Sequence, residues 1–193
     1  ERFGVIQNFF GVASTPVIYE DLILVMVGGS PEESRKAPPG ALGQIKPDRS
    51  GICAFNKKTG ELAYSSVNDL ASYCSLKLTT FEGEPVLLAW MRDSLFGVAP
   101  RSGKVKFEFP WRARILESVN ASMPVVHNGQ FLISECYGKG SVLLDPSKLE
   151  AVAGKIKPTV IWSDDQKRAK AMAAHWNTPI VIGDAMYGCS GRH

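Results

Sequence analysis

The sequence predicts an all-β protein assembled from repeated four-stranded antiparallel units, and three observations predict it. One hairpin type recurs: Gly51 to Tyr64 and Leu95 to Phe107 each run as an apolar strand, a turn over Thr-Gly or Ser-Gly, and a second strand ending on an aromatic. Ser141 to Lys148 starts the pattern again with Ser-Val-Leu-Leu-Asp and a turn over Pro-Ser. A second hairpin type alternates with the first, each apolar and β-branched strand pair closed by a short Gly, Asn or acidic turn. A repeat of a few tens of residues with this content marks an array of small antiparallel sheets, and the architecture expected for such an array is a β-propeller of four-stranded blades.

Taken in order, Pro16 to Tyr19 and Leu22 to Val27 pair around Glu20-Asp21, and the Thr59-Gly60 hairpin completes a first blade over about 11–64. Within it, Pro31 to Ser50 is rich in Pro, Gly and charge and lacks periodicity, so 31–50 reads as a mobile surface loop insertion. Leu76 to Phe81 and Pro85 to Met91 pair around 82–84, and with the Ser102-Gly103 hairpin give a second blade over 72–109. Pro124 to His127 and Gln130 to Ser134 pair around Asn128-Gly129, opening a third blade over 120–162. Asp164 to His175 combines an Asp cap with good helix formers and is expected as a short helix. Pro179 to Ile182 and Ala185 to Tyr187 then begin an incomplete fourth blade over 177–193. The whole chain, 1–193, thus reads as a single partial propeller of about three and a half blades. Such an array leaves apolar blade faces open, so further blades of a longer polypeptide or a second copy are expected to cover them.

Composition bounds the function classes. The chain is 45% apolar and 21% charged, ordinary for a globular domain. Its formal net charge of +3, from 22 basic and 19 acidic residues, is too small to mark a nucleic-acid surface. No window reaches the ~18 consecutive apolar residues of a transmembrane segment. The chain opens at Glu1 within folded-type sequence and stops just after a strand pair begins, so it reads as a processed or partial product whose lack of a leader carries no information about compartment. Cys53, Cys74, Cys136 and Cys189 form no Cys-x-x-Cys or adjacent pair and are expected as buried free thiols.

The Thr-Gly hairpin resembles the tryptophan-docking motif of quinoprotein propellers, Ala-x-Asp-x-x-Thr-Gly-x-x-x-Trp. Ala54, Asn56, Thr59, Gly60 and Tyr64 match it in the first unit; Gly97, Ala99, Ser102, Gly103 and Phe107 match it in the second. The third keeps Asp145 and inserts residues before Trp162. On this basis the chain looks like the pyrroloquinoline-quinone-like repeat proteins, which share the WD40/YVTN-like repeat architecture. Among them it is most similar to uncharacterised exported bacterial members. The resemblance implies a periplasmic or secreted protein whose motif aromatics pack between neighbouring blades. It also brings a choice. Quinone-binding dehydrogenases of the group stack adjacent cysteines on the cofactor and bind calcium through a Glu, an Asn and an Asp. This chain has no adjacent cysteines, and no such trio falls in register.

The remaining polar signals fall in the loops expected at the mouth of the central funnel, the default place for ligand recognition. Trp111-Arg112-Ala113-Arg114 with Glu117 is the sharpest cluster: two guanidinium groups beside an indole suit a carboxylate, phosphate or sulfated sugar. The competing role is packing, with one Arg paired to Glu117 and the other stacked on Trp111. Tyr73, Arg92, Asn120, Glu135 and Tyr137 join them as funnel candidates, as do His175, Trp176 and Asn177 with Arg192 and His193. The two histidines with Glu135 or Cys136 are a weak transition-metal set, and no ligand spacing supports it. Asn120-Ala121-Ser122 fits a glycosylation sequon. No nucleophile elbow, phosphate loop or catalytic carboxylate pair stands out. The first expectation is a binding or scaffolding module with no cofactor, taking a small polar ligand or a protein segment at the funnel. The alternatives are a PQQ- and calcium-dependent oxidoreductase, and a polysaccharide hydrolase or lyase using Glu117 or Glu135.

Overall fold

The computed structural model describes residues 2–6, 11, 13–37, 42–116 and 118–191. It is all-β, with the strands in chain-order antiparallel meanders. The first sheet holds β1 (Val17–Tyr19), β2 (Leu22–Met26), β3 (Ile52–Asn56) and β4 (Leu62–Ser66). The second holds β5 (Lys77–Phe81), β6 (Glu84–Trp90), β7 (Ser94–Val98) and β8 (Val105–Pro110). The third holds β9 (Val125–His127), β10 (Gln130–Glu135), β11 (Gly140–Val152) and β12 (Lys155–Ser163). A two-stranded ribbon, β13 (Ile180–Ile182) and β14 (Ala185–Tyr187), follows.

The hairpins close where local chemistry demands. Asn128 and Gly129 adopt φ of 47° and 74°, the left-handed pair of the tight turn that matches strand twist. In the Thr-Gly turn, the Asn56 Oδ1 accepts from the backbone N–H groups of Lys58 (2.9 Å) and Thr59 (3.1 Å), so asparagine does the work of the motif's acidic residue.

Two apolar layers hold the sheets face to face, and the period of two in β6 explains both. Leu87 and Ala89, with Met91 just beyond the strand, enter a cluster with Leu22, Leu24, Ile52 and Ala54 of the first sheet. Val86, Leu88 and Trp90 point the other way, into a cluster with Phe131, Ile133, Val142 and Leu144 of the third. The second sheet is therefore buried on both faces, each large side chain contributing about 1.5–3 kcal/mol of burial. The motif aromatics bridge sheets. The Tyr64 hydroxyl donates to the Pro100 carbonyl of the next sheet's turn (2.7 Å). Burial pushes that phenol's pKa up to about 12. A Cβ on Gly103 would lie 2.6 Å from the Tyr64 ring, so only glycine fits under it. Phe107 in turn reaches Phe131, with ring centroids 6.1 Å apart.

Three local expectations are corrected. Asp164 to His175 forms no helix. Instead the fully buried Asp164 carboxylate accepts from the N–H groups of Ala171 (3.0 Å) and Met172 (3.3 Å). Ser134 and Ser141 then dock the following residues: Ser141 donates to the Met172 carbonyl (2.8 Å) and Ser134 accepts from the Ala174 N–H (2.8 Å). Tertiary hydrogen bonds override helix propensity there. The Pro146-Ser147 turn is instead a β-bulge within β11, the position a sheet tolerates proline, and the hairpin turns at Ala153-Gly154. The 31–50 insertion carries two short 3-10 turns, Glu32–Lys36 and Leu42–Gln44. The four cysteines are free, but only Cys53 and Cys74 are buried. Burial raises both thiol pKa values, that of Cys74 to about 12. Among the described residues no helix is long and apolar enough to cross a membrane.

Candidate functional site

The loops that leave one end of the sheets converge. They are 67–76 and 111–124 between sheets, 91–93 and 136–139 within sheets, and 164–179 before the ribbon. Two buried polar side chains hold them together. Asn120, 1% exposed, donates its amide to the carbonyls of Met91 (2.9 Å), Arg92 (3.0 Å) and Trp111 (3.4 Å). The backbone carbonyl of Asn120 accepts from the Tyr73 N–H (3.0 Å). Asn120 is thus a loop tie, and its burial closes the sequon to a glycosyltransferase. Glu135, equally buried, accepts from the N–H groups of Tyr137 (2.6 Å), Lys139 and Gly140 (3.0 Å). Desolvation raises its pKa although those three donors pull it down. It shapes the 136–139 turn.

A third buried carboxylate, Asp69, was not among the residues singled out by sequence. It accepts from Leu70 (2.7 Å), and from Asp93 and Ser94 (3.0 Å each), fixing the 91–94 turn. Burial, reinforced by the Asp93 charge, pushes its carboxyl up to about 7. The turn it fixes presents Asp93, whose Oδ1 accepts from Arg112 Nη1 (2.8 Å). Arg112 Nη2 donates to the Leu116 carbonyl (3.2 Å), and Nε is buried with no partner among the described residues. The expected stack of an arginine on Trp111 is corrected: Lys139 Nζ sits 4.5 Å from that ring, while Arg112 pairs with Asp93. Glu117 lies outside the described residues, as do Arg192 and His193. Arg92 is buried, and desolvation followed by the nearby Arg112 charge lowers its pKa.

Between these loops opens a cavity of about 480 Å³, lined by Arg112, Arg114, Tyr137, Lys139, Asp165 and Gln166 among others. Arg114 is exposed and forms no ion pair with a described residue. Lys139 stands 3.9 Å from Asp165, so among the described lining residues three cations face one carboxylate. Beside the cavity runs an aromatic file. The Tyr137 hydroxyl meets His175 Nε2 at 2.9 Å, His175 lies 4.9 Å from Trp176 between ring centroids, and Trp176 meets Tyr73 edge-on at 5.5 Å. Trp176 remains 49% exposed. Asn177 follows it, with its side-chain oxygen buried and lacking a described partner.

Of the residues expected at the mouth, the structure brings Arg112, Arg114 and Tyr137 to one cavity and links His175, Trp176 and Tyr73 in file to Tyr137. It makes Asn120 and Glu135 internal supports. Lys139, Asp165 and Gln166 were missed: Lys139 stands two residues after Tyr137 in the same turn, and the expected helix masked the other two. A second cavity of about 500 Å³ includes Arg49, Ser66 and Lys155, but Lys155 is already held by Glu108 (2.6 Å). Among the described residues, no three His, Cys, Asp or Glu side chains are grouped to hold a metal. No family model and no curated protein sequence matches the chain.

Proposed function

We propose that this chain is a binding module of propeller type whose loop mouth captures a small anionic ligand. The observation that carries the reading is the convergence of Arg112, Arg114 and Lys139 on one cavity, with Arg112 fixed by Asp93 and the Leu116 carbonyl. The volume falls within the range of small-molecule sites. Cations held in place by neighbours bind anions at little ordering cost. The propeller reading draws support from the three face-packed meanders and from Tyr64 docking on the next sheet's turn. Export to the periplasm or beyond follows from the same resemblance, as does coverage of open faces by further blades or a second copy.

The quinoprotein oxidoreductase is the alternative, and pyrroloquinoline quinone with calcium fits the described residues poorly. Glu135, buried behind the mouth, is spent on three backbone donors, and the Asn120 amide on three carbonyls. The same engagement weakens Glu135 as the acid of a polysaccharide hydrolase or lyase. Calorimetric titration with acetate, citrate, sulfate, phosphate, and the quinone with and without calcium tests the reading. The expected result is anion binding that weakens with salt and is lost in Arg114→Ala. Binding of the quinone only when calcium is present favours the oxidoreductase instead.

A further inference from the structure

We propose that the guest of this cavity is a uronate, a pyranose sugar carrying a carboxylate; this rests on the anion-binding reading above and names the ligand class for the same site. Three features narrow the chemistry. The wall is not uniformly cationic: Asp165 stands among the basic groups, 3.9 Å from Lys139 Nζ, and Gln166 lies next to it. A carboxylate there repels a compact dianion such as phosphate, because like charges brought together in a partly desolvated site are costly. Asp165 and Gln166 are both exposed, and a polyol can take the place of water on their oxygens with adjacent hydroxyls. A guest with one negative charge and several hydroxyls satisfies both halves of the wall.

The second feature is the division of labour among the cations. Arg112 is committed to Asp93 and the Leu116 carbonyl with its Nε buried, and Lys139 lies over Trp111 near Asp165. Arg114 is exposed and pairs with no carboxylate among the described residues, and two parallel N–H···O bonds to a planar carboxylate are the geometry its fork favours. The third feature is the aromatic file. Tyr137 lines the cavity with its hydroxyl held by His175, and Trp176 extends the file outward with half its surface exposed. The C–H-rich face of a pyranose packs on such rings, whose faces carry negative electrostatic potential. Gly138 keeps the wall between Tyr137 and Lys139 low, since nothing lies within 4 Å of where its Cβ would project.

The test is calorimetric titration of the chain with glucuronate, galacturonate, digalacturonate, glucose and inorganic phosphate, each repeated on Arg114→Ala and Gln166→Ala with melting temperatures recorded. The expected result is that the uronates bind more tightly than glucose or phosphate. Arg114→Ala then weakens them at least about tenfold, the loss expected for a charge-assisted hydrogen bond, and Gln166→Ala about two- to tenfold, the loss expected for a neutral one, both at unchanged melting temperature. Tighter binding of digalacturonate than of the free acids assigns the site to a chain end, and the reverse to a free sugar acid. Phosphate binding without uronate binding overturns the uronate and leaves the anion reading standing. Glucose binding as tight as glucuronate overturns it as well. If none of the charged probes binds, both readings fall together. Unaltered uronate affinity in both variants moves the guest to another site and defeats the assignment.

Discussion

The second sheet and the terminal ribbon are built by the same rules and meet opposite fates. Both contain a hairpin of apolar strands closed by a two-residue turn with a left-handed glycine, Gly83 in one and Gly183 in the other. Yet Leu87, Leu88 and Trp90 are 0% exposed, whereas Ile180, Ile182 and Tyr187 are 55–61% exposed. Strand-forming sequence is therefore sufficient to make a strand and insufficient to bury it. Burial is conferred by a neighbour stacked on each face, and only the second sheet has two. Resistance to unfolding is expected to concentrate in the stack and to fade toward the ribbon.

The largest effect tests that gradient directly. Trp90 fills the layer between the second and third sheets and donates its indole N–H to the Trp111 carbonyl (3.4 Å). Trp90→Ala is expected to cost about 3–5 kcal/mol, through lost burial plus the cavity left behind. Tyr187→Ala, in the ribbon, is expected to stay within about 0.5 kcal/mol. Urea unfolding midpoints of the two variants decide it, and comparable losses would erase the contrast between the regions.

Next in size is Asp69→Asn, which probes how the stack is tied to the mouth. The substituted amide keeps one acceptor oxygen for Leu70 but turns its NH₂ toward the N–H groups of Asp93 and Ser94. A loss of about 1–3 kcal/mol is expected from buried donors left unpaired. The wild-type residue should also write a pH dependence. Its folded pKa of about 7 lies above the ordinary 3.8. Between those values the folded chain keeps a proton that the unfolded chain has released. Its contribution to stability is full below the lower value, declines as pH rises toward the upper, and is gone above it. Unfolding midpoints across that range should slope in the wild type and lose this component of the slope in the variant. Parallel curves would mean that Asp69 is ionised throughout.

What was legible in advance follows the range of the forces involved. Hairpins turning at Asn128-Gly129 or Thr59-Gly60 are decided by a few adjacent residues, and so is the alternation in β6. These could be read directly. Asp164 to His175 could not, because its good helix formers are outweighed by Ser134 and Ser141, about 30–40 residues away in sequence. The Pro146 bulge was hidden for a related reason: β12 keeps pairing with β11 beyond it, from Leu149 to Val152. At the mouth, residue type singled out Arg112, Arg114 and Tyr137, which line one cavity. It did not distinguish Glu135 and Asn120 as buried braces, because a carboxylate aimed at backbone N–H groups and one aimed at a guest look alike in sequence. Lys139 belongs to the turn that Glu135 holds, and Asp165 to the loop that Asp164, Ser134 and Ser141 hold.

A smaller effect sharpens the comparison at the seam between the first and second sheets. Tyr64→Phe removes the bond to the Pro100 carbonyl while keeping the ring on Gly103. About 0.5–1.5 kcal/mol is expected, the net worth of one hydrogen bond. Tyr64→Ala should cost more, since the ring's packing goes with it. Equal losses from both, by thermal or urea melts, would mean that the aromatic face contributes nothing and the docking motif serves the hydroxyl alone.

The smallest expected effect lies on the same seam, at its exposed rim. Arg101 pairs with Asp21 and approaches Glu20 (3.4 Å), joining the outer turn of the second sheet to the inner turn of the first. The guanidinium and Asp21 hold each other charged: the Arg101 pKa is raised and the Asp21 pKa lowered, in each case chiefly through their mutual hydrogen bond. All three side chains are about half exposed or more, so water and salt screen the pair. Arg101→Ala should therefore leave the urea midpoint unmoved at physiological ionic strength, although the contact spans two sheets just as Tyr64 does. Repeating the measurement at low salt should reveal a small destabilisation that vanishes as salt is added. A salt-independent loss in Arg101→Ala would show that the arginine's aliphatic stem, and not its charge, seals the rim. The seam's strength would then extend to the surface instead of residing under the Tyr64 ring.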